Sequence, residues 1–191
     1  MNGRVYALFG QLLDYPSSVL PGAVAELIAL LDNYPEAIAG LIVFQRNVQS
    51  QGLAELQECY IRTFDFRADC SLYLGHHLFG ESGRRGVFMA ELTDRYRKKQ
   101  LAEREDLPDH LSCVLRYLAV LDPGEEASEL VHACLIPAIS RINAVKAVAI
   151  SPYRSVLEVL PGLLESGENG PQLPGELAWI PSYSSHFPIL P

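Results

Sequence analysis

The spacing of the apolar residues is the feature that most constrains the fold of this chain. Apolar residues recur three and four positions apart nearly everywhere, which places them on one face of an α-helix. In the first third of the chain they are Val5, Leu8, Phe9 and Leu12; Val24, Leu27, Ile28 and Leu31; Ile38, Leu41 and Ile42; and Leu53, Leu56, Tyr60 and Phe64. Sustained period-two alternation, typical of strands, is absent, and turn sequences such as YPSS (15–18) separate the stripes. The sequence therefore predicts an all-α fold.

The second half of the chain continues the helical pattern. Further helices are predicted over about 82–100, 107–121 and 152–164, with a long helix beginning near Pro123. Asp122 and Glu125 are predicted to cap this long helix with Pro123 at its first position, and Pro137 is predicted to kink it. We expect a single-domain bundle of about seven or eight helices.

Composition changes near the C-terminus. Residues 167–191 contain five prolines and three glycines, together with Trp179, Tyr183 and Phe187. A segment of this composition does not form a regular helix. We expect a helical domain over 1–166, followed by an irregular Pro- and Gly-rich tail over 167–191 that is either flexible or strapped over the helices.

Charge and the lengths of the apolar runs limit the partners of the chain. The 15 basic and 23 acidic residues give a net charge of -8, which repels nucleic acid and favours a basic partner. No uncharged apolar run approaches the ~20 residues that span a bilayer, and no small-x-small cleavage site follows the first apolar run. We expect a cytoplasmic protein that binds no nucleic acid and does not insert into the membrane.

The cysteines and histidines do not have the spacing of a metal site. The four cysteines lie far apart with no CxxC pair and fit a reduced core. His76 and His77 are neighbours, so on a helix they point about 100° apart and do not easily hold one ion. We predict no bound metal.

Catalytic and nucleotide-binding motifs are also missing. No GxSxG nucleophile motif occurs, and GESGRRG (80–86) lacks the pattern and the preceding strand of a phosphate-binding loop. Arg84 and Arg85 fall in the first turn of a predicted helix, where the helix dipole disfavours cations. We therefore predict that these arginines pair with acidic groups, either of their neighbours or of a ligand.

Polar and aromatic residues are concentrated in SLYLGHHLFG (71–80) and LPDHL (107–111). A histidine among leucines and aromatics is as often a core residue with satisfied hydrogen bonds as a binding residue. From the residues alone, both roles stay open for His76, His77 and His110.

Two segments resemble one known family. YIRTFDFRADCSLYLGHHLFGESGRRGVFMAEL (60–92) and EDLPDHLSCVLRYLAVL (105–121) closely resemble the nitrate reductase molybdenum cofactor assembly chaperones, also called the delta-subunit family. FGQLLDYPSS (9–18) is similar to the first helix and turn of that family. The combination of TFD, HHLFG, ESGRRG and PDHL is more specific than any one of these motifs, and the resemblance covers about 5–164.

The resemblance implies an all-helical chaperone with no catalytic activity of its own. Such a protein binds the apo catalytic subunit of respiratory nitrate reductase, partly through its N-terminal segment. It holds that subunit competent for insertion of molybdenum cofactor and iron-sulfur clusters before membrane docking. The resemblance implies no stably bound cofactor in the chaperone itself, and it makes the molybdenum cofactor biosynthesis proteins candidate further partners.

The resemblance also implies a set of site residues. Those expected to line or hinge a peptide-binding groove are Tyr73, Leu74, His76, His77, Asp109 and His110. Those expected to support the neighbouring loop electrostatically are Asp65, Glu81, Arg84 and Arg85. Because histidines titrate near neutral pH, peptide affinity is expected to change between about pH 5.5 and pH 8.

Three alternatives stay open at this point. The client of the chaperone is alternatively a related molybdoenzyme, such as a chlorate, selenate, dimethyl sulfoxide or trimethylamine oxide reductase or an ethylbenzene dehydrogenase. A nucleotide-binding switch would bind a nucleotide through GESGRRG and lose it on Arg84→Ala and Arg85→Ala. A structural subunit would remain in the finished reductase.

Overall fold

The computed structural model describes residues 3–80, 82–102 and 106–167, and its regular structure in these ranges is helical. The α-helices are α1 (Gly3–Leu12), α2 (Leu20–Ala29), α3 (Pro35–Ser50), α4 (Leu53–Tyr60), α5 (Leu74–Phe79), α6 (Gly83–Lys98), α7 (Leu111–Leu118), α8 (Glu125–Glu129), α9 (Ile136–Asn143), α10 (Lys146–Ala149) and α11 (Arg154–Gly167). The predicted all-α fold is confirmed. The count exceeds the expected one because the long second-half helix is interrupted and because short helices such as α5 and α10 form within connections.

Two π-helical turns interrupt the α-helices. One, Ile61–Asp65, continues α4 without a break, and the other, Leu130–Leu135, joins α8 to α9. The second ends at Leu135, two residues before Pro137, and the Ile136 N–H donates to the carbonyl of Val131, five residues back. Since proline has no N–H and its ring crowds the carbonyl four residues back, a wider turn accommodates it. The disturbance predicted at Pro137 therefore takes the form of a π turn.

The start of α8 differs from the sequence prediction. The helix begins at Glu125, with Gly124 in an extended conformation at the N-cap, so the predicted capping pair of Asp122 and Glu125 around Pro123 is wrong. Glycine is a poor helix former, and the first helical hydrogen bond here runs from the Ser128 N–H to the Gly124 carbonyl. The helix therefore starts two residues later than Pro123.

The core lies between α1, α3, α7, α9 and α11. Helix α1 packs against α2 and α7, and α3 packs against α2 and α11. Leu8, Phe9 and Leu12 of α1 are fully buried, as the apolar stripe predicts. All four cysteines are buried and free, in agreement with a reduced core. This core supports α5, α6 and the connection before α7, where most of the predicted site residues lie.

The described residues were also compared with the predictions on membrane-spanning helices, metal binding and the C-terminal tail. None of the described helices is long and apolar enough to cross a membrane. Among the described residues, no group of three or more His, Cys, Asp or Glu side chains is arranged to hold a metal ion. Helix α11 runs to Gly167, and residues 168–191, which make up nearly all of the predicted tail, lie outside the described residues.

Candidate functional site

A short backbone pairing joins the two segments that the sequence singles out. The Leu74 N–H donates to the Asp109 carbonyl at 2.8 Å, and the Leu111 N–H donates to the Leu72 carbonyl at 2.8 Å. Tyr73 and His110 are opposite each other in this antiparallel bridge, with their rings edge to face at 5.2 Å between centroids. The starts of α5 and α7, far apart in sequence, are thus held side by side.

A buried carboxylate occupies the centre of this arrangement. Asp109 is fully buried, and its Oδ2 accepts hydrogen bonds from Arg85 Nε at 2.9 Å and from the Gly75 N–H at 3.2 Å. The Arg85 guanidinium, one quarter exposed, also lies 5.7 Å from the centroid of the Tyr73 ring. We refer to Tyr73, Gly75, Arg85, Asp109 and His110 as the Asp109 cluster. Because a buried charge requires a partner, Arg85 stabilises Asp109 and ties α6 to the bridge.

Gly75 is a member of the cluster that sequence reasoning missed. A Cβ atom at this position would lie 2.7 Å from Asp109 Oδ2 and 2.9 Å from Arg85 Cγ. Only glycine therefore allows the ion pair to lie directly against the backbone of α5. The signal available in the sequence was a glycine directly before the two histidines.

His110 connects the cluster to the helices beneath it. It is the N-cap of α7, and its Nδ1 accepts from the Ser112 N–H at 3.3 Å and lies 2.8 Å from Ser112 Oγ. Since Nδ1 accepts, Nε2 carries the proton and faces Tyr60 Oη at 3.4 Å, while that hydroxyl donates to the Leu13 carbonyl at 3.2 Å. Burial raises the pKa of Tyr60, which keeps its hydroxyl protonated as a donor. The chain of contacts runs from α7 through α4 to the end of α1.

The histidine pair lies on α5, beside the cluster. His77 Nε2 is 2.7 Å from the Ser71 carbonyl and donates to it, and the His76 ring packs edge to face against His77 at 5.5 Å. Both histidines are half-buried. Burial lowers the pKa of His77, the hydrogen bond to Ser71 opposes this, and the nearby His76 and Arg141 lower the pKa further. His77 is therefore held in its neutral form near pH 7.

The remaining predicted residues lie around the cluster at different depths. Leu74 is fully buried, whereas Asp65 is exposed at the end of the first π turn. Partial burial raises the pKa of Asp65, with an opposing effect of the nearby His110. Arg84 is exposed and lies over the Phe79 ring at 5.2 Å. Glu81 lies outside the described residues.

The structure thus brings together most of the predicted residues, but these residues differ in their exposure to solvent. Leu74, Asp109 and His110 are buried, while Tyr73, His76 and His77 are half-buried. Arg85 has the acidic partner that its place in the first turn of α6 predicts. In this conformation a bound chain would contact the half-buried residues first, and the buried ones would position them. The contact roles themselves stay predictions.

A second candidate surface, which sequence reasoning did not find, is an open groove. It runs between α3, the end of α4 with its π turn, and the α10–α11 connection, and it has a volume of about 1100 Å³. Val43 of α3 and Ile150, the residue after α10, contribute exposed apolar surface to it. Arg62 and Thr63 of the π turn also line it. We refer to this surface as the Ile150 groove.

Fold and site together define an all-α single-domain protein in which a buried ion pair fixes two helix starts and an open groove lies elsewhere on the surface. The chain belongs to the nitrate reductase delta subunit family, whose model matches residues 20–154. The resemblance predicted from the motifs at 60–92 and 105–121 is thereby confirmed. The matched range includes the Asp109 cluster and all of the Ile150 groove lining except Ser155 and Glu158.

Curated relatives carry related names. The chain is 38% identical over 128 residues to the nitrate reductase molybdenum cofactor assembly chaperone NarJ of Escherichia coli K12, covering 64% of this chain and 53% of the relative. It is 30% identical over 127 residues to the probable chaperone NarW of the same strain, covering 66% and 53%. It is 30% identical over 169 residues to the nitrate reductase-like protein NarX of Mycobacterium tuberculosis, covering 88% and 24%. The chain spans about a quarter to about half the length of these relatives.

Proposed function

We propose that this protein is an assembly chaperone for the molybdenum-containing catalytic subunit of a nitrate reductase. It binds the apo subunit, partly through its N-terminal segment, and keeps it competent to receive molybdenum cofactor and iron-sulfur clusters before the subunit docks at the membrane. The observation that carries this proposal is membership of the delta subunit family, together with 38% identity to a relative named as such a chaperone.

The structure supports a binding role for the half-buried side chains at and beside the Asp109 cluster. The pinned starts of α5 and α7 present Tyr73, His76 and His77 as half-buried side chains on a rigid base, so that little ordering is required when a partner binds. The imidazoles and the tyrosine hydroxyl are suited to hydrogen bonding with backbone groups of a bound segment. The net charge of -8 favours a client segment that carries basic residues.

On this proposal the protein has no catalytic turnover and holds no cofactor of its own. It acts in the cytoplasm, where the catalytic subunit is still incomplete. The cofactor and clusters belong to the client, and the molybdenum cofactor biosynthesis proteins are candidate transient partners during their insertion.

The test is affinity purification of the tagged full chain from its own host grown without oxygen on nitrate, followed by mass spectrometry and metal analysis of the co-purified proteins. We expect a nitrate reductase catalytic subunit that lacks molybdenum. Recovery of a different apo molybdoenzyme would keep the chaperone role and change the client. Recovery of a fully metallated enzyme with this chain in fixed stoichiometry would instead identify a structural subunit and contradict the proposal.

A further inference from the structure

The Ile150 groove has apolar side chains exposed on two of its walls. Ile150 is 90% exposed and Val43 is 49% exposed, and they face the groove from the turn after α10 and from α3. An isolated exposed apolar residue is ordinary, but apolar residues that share one concave surface mark a site of contact with another molecule. The groove therefore has the surface of a binding site.

The base of the groove is closely packed. A Cβ atom at Gly40 of α3 would lie 2.6 Å from Val159 Cγ1 and 3.3 Å from the Ser155 carbonyl oxygen, so α3 and α11 approach each other as closely as a glycine allows. The groove volume of about 1100 Å³ lies above the ~300–1,000 Å³ of typical small-molecule pockets. An open surface of this size, between closely packed helices, fits a polypeptide segment better than a metabolite.

The charges along the groove indicate the sign of its partner. Arg154 forms an ion pair with Glu158 at 2.6 Å, so these two lining residues neutralise each other. The other charged residues that line the groove are Glu55 and Glu58 of α4 and Arg62 of the π turn. The lining is therefore acidic by one charge, on a chain with a net charge of -8. Two copies of such a chain repel each other, whereas a basic segment is attracted.

We propose that the Ile150 groove is a second docking surface, distinct from the Asp109 cluster, for an apolar polypeptide segment that carries lysine or arginine. Its apolar side chains cover Ile150 and Val43, and its cations lie beside Glu55 and Glu58. This inference rests on the proposed function only in taking the segment to be part of the client. The π turn connects the two surfaces, because Arg62 and Thr63 line the groove while Asp65 lies near His110.

The test measures fluorescence anisotropy of a labelled synthetic peptide of leucine, serine and lysine, titrated with the full chain. A matched peptide with glutamate in place of lysine is the control for charge. Ile150→Ser removes apolar contact from an exposed position, so the expected loss of affinity is roughly five- to tenfold. Glu58→Lys is expected to weaken binding by roughly threefold or more, with the difference decreasing at high salt.

Two matched variants control for nonspecific effects. Val19→Ser changes an apolar residue that is 62% exposed at the start of α2, and Glu165→Lys reverses an exposed charge in the last turns of α11, both outside the groove lining. We expect both to bind the lysine peptide as the unaltered chain does. Equal losses in the groove and control variants, absence of lysine-peptide binding, or equal binding of the glutamate peptide would each overturn the proposal.

The alternative occupant is a second copy of the chain. Sedimentation of the unaltered chain and of Ile150→Ser separates these cases, since a dimer that Ile150→Ser dissociates would assign the groove to self-association and overturn the proposal. Failure of the groove is distinguishable from failure of the chaperone role. If the chain still captures the apo catalytic subunit but its groove variants bind the peptide normally, only the docking role of the Ile150 groove is overturned.

Discussion

The Asp109 cluster and the Ile150 groove are opposite in construction. In the cluster a fully buried carboxylate forms an ion pair with a guanidinium and accepts a hydrogen bond from a backbone N–H, at the meeting point of α5, α6 and α7. In the groove, apolar side chains face the open space and the charged residues lie along its walls. The cluster therefore contributes mainly to stability and position, whereas the groove has apolar surface that the residues of its walls leave exposed.

This difference shows why unusual sequence motifs and accessible surface need not coincide. The motifs ESGRRG and PDHL supply Arg85 and Asp109, and the buried ion pair between them makes strict geometric demands that few residue types satisfy. The groove makes no such demand, since an isoleucine, a valine and several glutamates occur in any chain. A segment that stands out in a sequence is thus as much evidence of a difficult packing problem as of a ligand.

The largest effect on stability is expected when the two neighbouring arginines of α6 are replaced by alanine one at a time. Arg85→Ala leaves the buried Asp109 carboxylate without its cation, and removing one partner of a buried pair costs about 3–5 kcal/mol of unfolding free energy. Arg84→Ala, one residue earlier and exposed over Phe79, is expected to change it by no more than about 0.5 kcal/mol. Urea unfolding followed by circular dichroism measures both. Equal effects of the two variants would show that the ion pair does not hold the cluster together.

The next largest effect concerns the backbone contact at Gly75. Gly75→Ala places a methyl group 2.7 Å from Asp109 Oδ2, and overpacking of this kind costs about 1–3 kcal/mol. The matched variant is Gly86→Ala in α6, where a Cβ would meet no atom within 4 Å. There alanine is expected to stabilise the helix by up to about 1 kcal/mol. Thermal and urea unfolding of both variants test the prediction, and a Gly75→Ala variant as stable as Gly86→Ala would contradict the close approach.

Most of the helices could be predicted from the sequence, but the contacts between the helix ends could not. The stripe at Leu8, Phe9 and Leu12 is a local property, and it correctly predicts a buried face of α1. The helix predicted from Leu107 begins only at Leu111, because residues 109–111 pair with 72–74, which is a long-range contact that no local pattern encodes. The requirement for glycine at 75 and the Ile150 groove depend on tertiary packing in the same way.

A smaller effect is expected in the pH dependence of the unfolding free energy, through His77 beside the Asp109 cluster. Burial lowers the pKa of His77 below its ordinary 6.5, so the unfolded chain binds a proton more readily than the folded one. The contribution of His77 to stability is therefore complete above about pH 6.5 and is lost as the pH falls below that value. Urea unfolding of the unaltered chain and of His77→Gln between pH 5 and pH 8 measures the difference. We expect the variant to lose less stability on acidification. The same pH dependence of the unfolding free energy in both proteins would show that the pKa of His77 is not lowered.

Affinity for a client segment extends this pH prediction to binding. If His77 contacts the segment, the affinity of the segment changes as the pH falls from about 8 to about 5.5, because the imidazole gains a proton at the acidic end of this window while the fold remains intact. The His77→Gln variant is then expected to reduce that change. An affinity that is flat over this window would identify both histidines as packing residues.

The smallest effect on stability is expected from a substitution in the Ile150 groove. This substitution tests the difference between the groove and the Asp109 cluster most directly. Ile150→Ser changes a side chain that is 90% exposed, so the unfolding free energy should shift by no more than about 0.5 kcal/mol. The same variant is the one expected to lose peptide affinity. Binding loss without loss of stability is the behaviour of a surface left open for a partner, whereas Arg85→Ala should lose stability whether or not a partner is present. If Ile150→Ser destabilised the chain as much as Gly75→Ala does, the turn after α10 would pack against the protein itself, and the distinction between a closed cluster and an open groove would be wrong.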